Sequence, residues 1–332
     1  MPVISPPPLS VAMSVYNADR FLDEAIASIR AQSWGEFEFL ILNDGSIDGS
    51  RSIIDAHAAA DPRIVPIHRE NRGLVASLNE LLERARAPIV ARMDADDIAL
   101  PERFERQLAF LRDHPDYGVI GCWTTDIDEA GEPFALSGAD HPVTHRAFLG
   151  AIAGGPLLCH PSAMMRVDAV RAVGGYHAAF RHCEDYDLWL RLAGVTRLGS
   201  LPERLLKYRH TESQVSSRHA VEQQTGAAIA YLAWRERSAG RPDPTATLDR
   251  LPPVGELDAL FGRAGVDEEV RARVAPRLLY SRIALSSDGY DLLLAHIREG
   301  GRTPGLWRTV ARLVSLGEPA RAARLAATLA AR

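Results

Sequence analysis

Cysteine is scarce in this chain, with only Cys122, Cys159 and Cys183 in 332 residues. They form no CxxC pair and leave one thiol over in any disulfide scheme. This argues against a disulfide scaffold and for a reduced cytoplasm, with all three read as small, partly buried side chains. No apolar run approaches the ~18 residues of a membrane span, so any membrane contact is expected to be peripheral. Residues 1–8 hold prolines but neither a basic n-region nor an apolar h-region, so no signal peptide is expected. Positive charge is not in excess either. A net charge of −5 gives no general reason to expect nucleic-acid binding. Neither GxGxxG after the first strand nor GxxxxGK[ST] is present, which excludes the usual NAD-dehydrogenase and P-loop readings.

What remains is an ordinary globular composition, 46% hydrophobic and 24% charged, long enough for one large domain and a smaller one. Residues 9–15 (LSVAMSV) read as a buried strand stopping at Tyr16-Asn17. Asn17 or Asp19 can cap a helix whose apolar residues Phe21, Leu22, Ala25, Ile26 and Ile29 recur at helical spacing. Residues 37–42 (FEFLIL) form a second strand ending at Asn43-Asp44-Gly45-Ser46. A helix over 48–60, a strand over 64–68, a turn at Asn71-Arg72-Gly73, a helix over 74–85 and a strand over 89–93 follow. That last strand runs into Asp94-Ala95-Asp96-Asp97. Pro101 then opens a helix to about 114, and 119–123 is a further strand. Such alternation predicts an α/β fold, a mostly parallel sheet flanked by helices, with ligands beyond the carboxyl ends of the strands. Tyr16-Asn17, Asp44 and Asp94–Asp97 all fall at those ends.

From 124 to 155 the rhythm is lost. Short elements resume at 163–166 and after Val167, 184–193 (EDYDLWLRLA) reads as a helix with acids in its first turn, and 205–208 as a last strand. Beyond about 217 the composition turns to Ala, Arg and Leu, which predicts a C-terminal α-helical appendage over 218–332.

Three acidic clusters are candidates for chemistry. Asp44 can accept hydrogen bonds from a base or ribose, or can simply belong to a turn. Asp94, Asp96 and Asp97 repel one another unless a cation binds. Hard oxygen ligands beside a diphosphate suit Mg²⁺ or Mn²⁺, although Asp97 can instead cap the next helix. Glu184-Asp185 can supply a base or cap a helix. His210 can ligate Mn²⁺ or be structural, and His160 is a weaker candidate.

In this order the clusters resemble the family 2 glycosyltransferases of GT-A fold. The match runs from about 9 to 215 through Ser14-Val15-Tyr16-Asn17, Asn43-Asp44-Gly45-Ser46-Ile47-Asp48-Gly49-Ser50, Asn71-Arg72-Gly73 and Met93-Asp94-Ala95-Asp96-Asp97. It continues through Gly174-Gly175-Tyr176, Glu184-Asp185-Tyr186-Asp187-Leu188-Trp189 and Tyr208-Arg209-His210. The resemblance implies an inverting transferase taking its sugar from a nucleotide-diphosphate donor, uridine-type by this match. Tyr16, Asn17 and Asp44 then hold the base, with Gly73 on the donor side. Asp94 contacts the ribose, Asp96 and His210 the metal, and Asp185 is the catalytic base. The Gln-x-x-Arg-Trp signature of processive members is missing, which favours one addition per encounter. Expected acceptors are glycan or lipid-linked hydroxyls in cell-surface glycan synthesis.

The implied domains are a catalytic 1–217, with a nucleotide-binding half at 9–123 and an acceptor half at 124–217, and a helical 218–332. A nucleotidyltransferase would carry a Gly-rich basic segment where Tyr16-Asn17-Ala18-Asp19 stands. A non-catalytic binding module would have lost Asp96 or Asp185. Residues 301–332 hold six arginines (Arg302, Arg308, Arg312, Arg321, Arg324, Arg332) against Glu318, an excess of +5. Leu306, Trp307, Val310, Leu313 and Val314 recur at helical spacing beside them. That face predicts either docking on the inner face of the cytoplasmic membrane or packing, against neighbouring helices or a second subunit.

Overall fold

The structure, a computed structural model, describes residues 7–134, 140–154, 157–211 and 219–331. The chain divides into two compact units, Met1–His177 with Leu188–Thr211, and Ala178–Asp187 with Glu212–Arg332. The boundary expected at 217/218 lies outside the described residues.

The first unit is built on eight strands: β1 (Ser10–Val15), β2 (Glu38–Asp44), β3 (Ile64–Arg69), β4 (Ile89–Met93), β5 (Ile98–Ala99), β6 (Tyr117–Ile127), β7 (Met164–Arg166) and β8 (Arg197–Arg209). Their order across the sheet is β3-β2-β1-β4-β7-β6-β8-β5. The first four are parallel, with Ser10 opposite Glu38 and Val90, and Phe39 opposite Ile64. Every residue of β2 is buried, as expected for a strand covered on both faces. Their carboxyl ends therefore meet along one edge, which carries Tyr16, Asp44 and Asp94. β7 runs antiparallel to both β4 and β6, so the parallel order stops at the strand before the Asp cluster.

Helix α1 (Asp19–Arg30) buries Leu22, Ala25, Ile26 and Ile29 on the sheet. Each large side chain among them contributes roughly 1.5–3 kcal/mol of burial. Its start differs from expectation. The N-cap is Ala18, which has no side-chain oxygen to offer, and neither Asn17 nor Asp19 caps it. The N–H groups there donate to a neighbouring loop instead, Ala18 to Ser50 Oγ and Asp19 to Asp48 Oδ2, each at 3.0 Å. The loop after β2 thus does for α1 what a local cap does elsewhere. α2 (Ser50–Ala60) and α3 (Leu74–Arg84) match their expected spans closely. α4 (Arg103–Asp113) begins two residues after Pro101, which sits in the preceding turn. α5 (His145–Ala151) and α6 (Val167–Ala172) are short.

The last strand is longer than the expected 205–208. β8 holds thirteen residues and pairs in parallel with β6, with register shifts around Cys122 and Trp123. β6 in turn runs on to Ile127, past the point where the sequence loses its rhythm. The two-residue β5 pairs with β8 at Ile98 and Lys207.

Helix α7 (Glu184–Leu192) contributes its first turn to the second unit. The rest of that unit is helical, as expected. Its main members are Ala220–Ser238, Val266–Leu278, Asp288–Arg298, Leu306–Ser315 and Pro319–Ala330. Leu306 and Leu313 are buried in one cluster with Tyr290, Leu293, Ile297 and Leu325, and Val310 packs against it. The arginine-flanked face is therefore largely a packing face within its own unit. Trp307 and Val314, 61% and 57% exposed, point outward. Among the described residues no helix is long and apolar enough to cross a membrane. The three cysteines are free.

Candidate active site

The loops after β1, β2 and β3 are tied together before any ligand is considered. Tyr16, 55% exposed, comes directly after β1, and Asn17 follows at φ +49, a left-handed backbone that Asn tolerates better than most residues. Asn17 N–H donates to Ser46 Oγ at 2.9 Å, and its side-chain oxygen accepts from Ile47 N–H at 2.9 Å. Burial alone would raise the Asp48 carboxyl, but the N–H and side-chain hydrogen bonds from Asp19 and Ser50 outweigh it and hold the pKa below the usual value. Gly45, at φ +76, is required here because a Cβ would come within 2.6 Å of the Asn71 nitrogen.

Asp44 is buried and its carboxylate is largely spoken for. Oδ1 pairs with Arg69 Nη2 at 2.9 Å and accepts Arg72 N–H at 3.0 Å; Oδ2 accepts Gly73 N–H at 2.8 Å. Asn71 Nδ2 bonds the Asp44 carbonyl at 2.9 Å. The Asn71-Arg72-Gly73 turn is thus shaped by Asp44, and Gly73, at φ +87, spends its N–H there. A carboxylate has about four lone-pair positions, so Asp44 keeps a single one for a donor.

The end of β4 is different. One oxygen from each of Asp94, Asp96 and Asp97 lies within 4.8 Å of the others. Asp94 pairs with Arg92 Nη2. Asp97 Oδ1 accepts Arg209 N–H at 2.9 Å, so Asp97 does not cap α4, and its buried Oδ2 has no partner. Burial first, and the Asp94 charge second, push Asp96 up to about 6. Burial, then Asp96 and Asp94, raise Asp97 as well. Carboxylates whose pKa is raised by burial and by one another lack cationic charge, and hard oxygen donors in this number suit Mg²⁺ or Mn²⁺. The donor set fits such an ion.

Two arginines that sequence reasoning left without a role surround this cluster. Arg92, in the strand read as apolar, is buried beneath it, with Nε and Nη1 unpartnered. Arg209 is buried and donates to the Asp96, Asp128 and Glu129 carbonyls and, at 2.6 Å, to Glu24. It joins the end of β8, the aspartate loop and α1. Only its place in Tyr208-Arg209-His210 hinted at importance.

His210 is not brought into the aspartate group. Its Nε2 lies 3.5 Å from Asp126, and its ring packs edge-on against Phe134 and Tyr208. His160 is buried, bonds Tyr176 hydroxyl at 2.7 Å and has its pKa held well below the usual value, by burial first and Arg92 second. Tyr176 is in turn fixed by Asn79 through its N–H and carbonyl, both at 2.8 Å. His160 is therefore a neutral structural imidazole within this unit. Asp185 stands in the first turn of α7, where its Oδ1 accepts Tyr186 N–H at 2.7 Å. It belongs to the second unit.

Comparison with known proteins agrees with this architecture. Residues 10–174 match the family described as Glycosyl transferase family 2. Glycosyltransferase EpsE of Bacillus subtilis is 37% identical over 238 residues, covering 70% of this chain and 83% of EpsE. The amylovoran biosynthesis glycosyltransferase AmsE of Erwinia amylovora is 32% identical over 217 residues, 63% of this chain and 79% of AmsE. Among solved structures, S. aureus TarS 1–349 in complex with UDP superposes with a TM-score of 0.57 at 17% identity, covering 96% of this chain and 87% of TarS 1–349. The mannosyltransferase PcManGT of Pyrobaculum calidifontis, in complex with GDP-Man and Mn²⁺, gives 0.53 at 18%, covering 98% and 87%. The two structures share the GT-A fold with this chain. With the ordered motifs, the sheet and a relative as similar as EpsE, the chain belongs to glycosyltransferase family 2 and is a glycosyltransferase.

Proposed function

We propose that the chain transfers one sugar per encounter, with inversion, from a nucleotide-diphosphate sugar to a hydroxyl of a glycan or lipid-linked acceptor, using Mn²⁺ or Mg²⁺. The observation that carries the reading is the under-neutralised group Asp94, Asp96 and Asp97 at the end of β4. The nucleotide pairs with the edge where Tyr16 is free to stack on a base and Asn17 and Asp44 border it. We assign uridine, as in the TarS complex, while the PcManGT complex holds a guanosine donor. Asp44 acts mainly through the Arg72 and Gly73 loop that it shapes, and Gly73 through its left-handed backbone. Asp94, steadied by Arg92, faces the ribose.

When bound, the cation neutralises charge on the departing diphosphate. Asp96 holds it, with His210 as a further ligand once it turns from Asp126. Asp185 takes the proton from the acceptor hydroxyl as that oxygen displaces the diphosphate. No second carboxyl group is needed as acid, unlike in an inverting glycosidase. AmsE, named for amylovoran biosynthesis, supports a surface-polysaccharide acceptor. We assign catalysis to 1–217 and an accessory role to 218–332, with the outward Trp307, Val314 and nearby arginines as the place for contact with the inner face of the cytoplasmic membrane or a second subunit. Purified protein, screened against nucleotide sugars with Mn²⁺, should release nucleotide diphosphate from one donor class. Release from none, with folded protein, would overturn the substrate assignment.

A further inference from the structure

We propose that His182, His219 and Glu222 form a binding site for a borderline-soft divalent cation of the zinc class. All three belong to the second unit, and the inference does not rest on the proposed donor chemistry. His182 stands just before α7 at φ +63, a backbone that a non-glycine residue keeps only when its surroundings enforce it. Two features do so. Gln223 Nε2 donates to the His182 carbonyl at 2.9 Å, and Gly226 makes room for the Cys183 thiol, which a Cβ there would overlap.

His219 and Glu222 open the helix Ala220–Ser238, three residues apart and so on one face. Glu222 Oε2 lies 3.6 Å from His182 Nε2 and 3.8 Å from His219 Nδ1. These gaps are too long for direct hydrogen bonds. Ligands ~2.0–2.1 Å from a tetrahedral ion stand roughly 3.3 Å apart, so the three groups need only a small contraction to share one. Two imidazoles and one carboxylate suit Zn²⁺, whereas Mg²⁺ takes oxygen ligands.

The rings are stacked, with centroids 4.0 Å apart and planes 13° from parallel, so their lone pairs do not converge. Ligation therefore turns His219, whose side chain is 46% exposed, out of the stack, with water as fourth ligand. An ion held this way would fasten the segment carrying Asp185 to the helix Ala220–Ser238.

The test is titration of the metal-stripped full chain with Zn²⁺ in excess Mg²⁺, followed by calorimetry, with Co²⁺ absorption as a second readout. One Zn²⁺ per chain is expected. His182→Ala, His219→Ala and Glu222→Gln should each weaken binding by roughly tenfold or more, while Asp96→Ala keeps it. His219→Ala, at an exposed side chain, decides the matter if His182→Ala fails to fold. Absence of a stoichiometric site in the wild type, or a change below threefold in folded His219→Ala, would overturn the proposal.

Discussion

Two strand ends on the same edge of the sheet, separated by β1, treat their carboxylates in opposite ways. At the end of β2, Asp44 is buried but matched by Arg69 and two backbone N–H groups. At the end of β4, three carboxylates, Asp94, Asp96 and Asp97, face the charges of Arg92 and Arg209 and few N–H donors, and Asp97 keeps a buried oxygen without a partner. The first is finished by the fold and shapes a loop. The second is left incomplete, which costs stability and is the ground on which a cation is proposed there. Proximity to a strand end does not by itself mark a carboxylate as a candidate ligand; unmet charge is the sharper criterion.

The largest effect lies with the proposed base. Asp185→Asn should lower transfer by about 10²–10⁴-fold while nucleotide diphosphate affinity, read by calorimetry, changes little. Transfer at a tenth or more of the wild-type rate would assign the base elsewhere. Next comes the finished site. Asp44→Ala leaves Arg69 with Glu80, at 3.3 Å, for a carboxylate partner and strips the Arg72 and Gly73 N–H groups of their acceptor, so unfolding in urea should reveal a loss of about 2–4 kcal/mol. An unchanged midpoint would mean that the Asp44 network is not structural, and the contrast with the β4 end would fail.

A smaller effect concerns pH. The Asp96 pKa is raised to about 6 from 3.8, so the folded protein binds a proton more tightly there than the unfolded chain. Its contribution to stability is then fully present below about pH 4 and lost as pH rises through 6. Metal-free protein should lose roughly 3 kcal/mol over that window relative to Asp96→Asn, which has no such group to titrate. Parallel stability curves for the two would remove the charge argument. The smallest effect is expected at the outer face of Leu306–Ser315. Trp307→Ser should leave stability within about 0.5 kcal/mol yet reduce salt-sensitive sedimentation with anionic vesicles. Absence of vesicle binding by the intact chain would leave that face to protein contacts.

The strand ends of β1, β2 and β4 could be read from the sequence because each is a short apolar run stopped by polar turn residues. The ordered motifs then gave the family. The length of β8 could not be read, since Pro202 and Glu203 interrupt its apolar pattern and its partner β6 is some eighty residues away. Arg92 was hidden for a related reason: a single arginine within IVARM does not reveal which face it turns to, and only the sheet places it under the aspartates. His182 and His219 are separated in sequence by α7, β8 and the residues after it, so their approach is a tertiary fact. The start of α1 misled because its N–H groups are satisfied from 48 to 50, not by Asn17 or Asp19.

The central claim is that Asp94, Asp96 and Asp97 form a cation site completed by the donor diphosphate. Equilibrium binding of Mn²⁺, followed by its EPR signal with and without nucleotide diphosphate, tests it most directly. The account predicts one Mn²⁺ per chain, tighter with the nucleotide present, and at least about tenfold weaker in Asp96→Ala. Mn²⁺ binding that ignores both the nucleotide and Asp96→Ala, in an enzyme fully active in chelator, would contradict it.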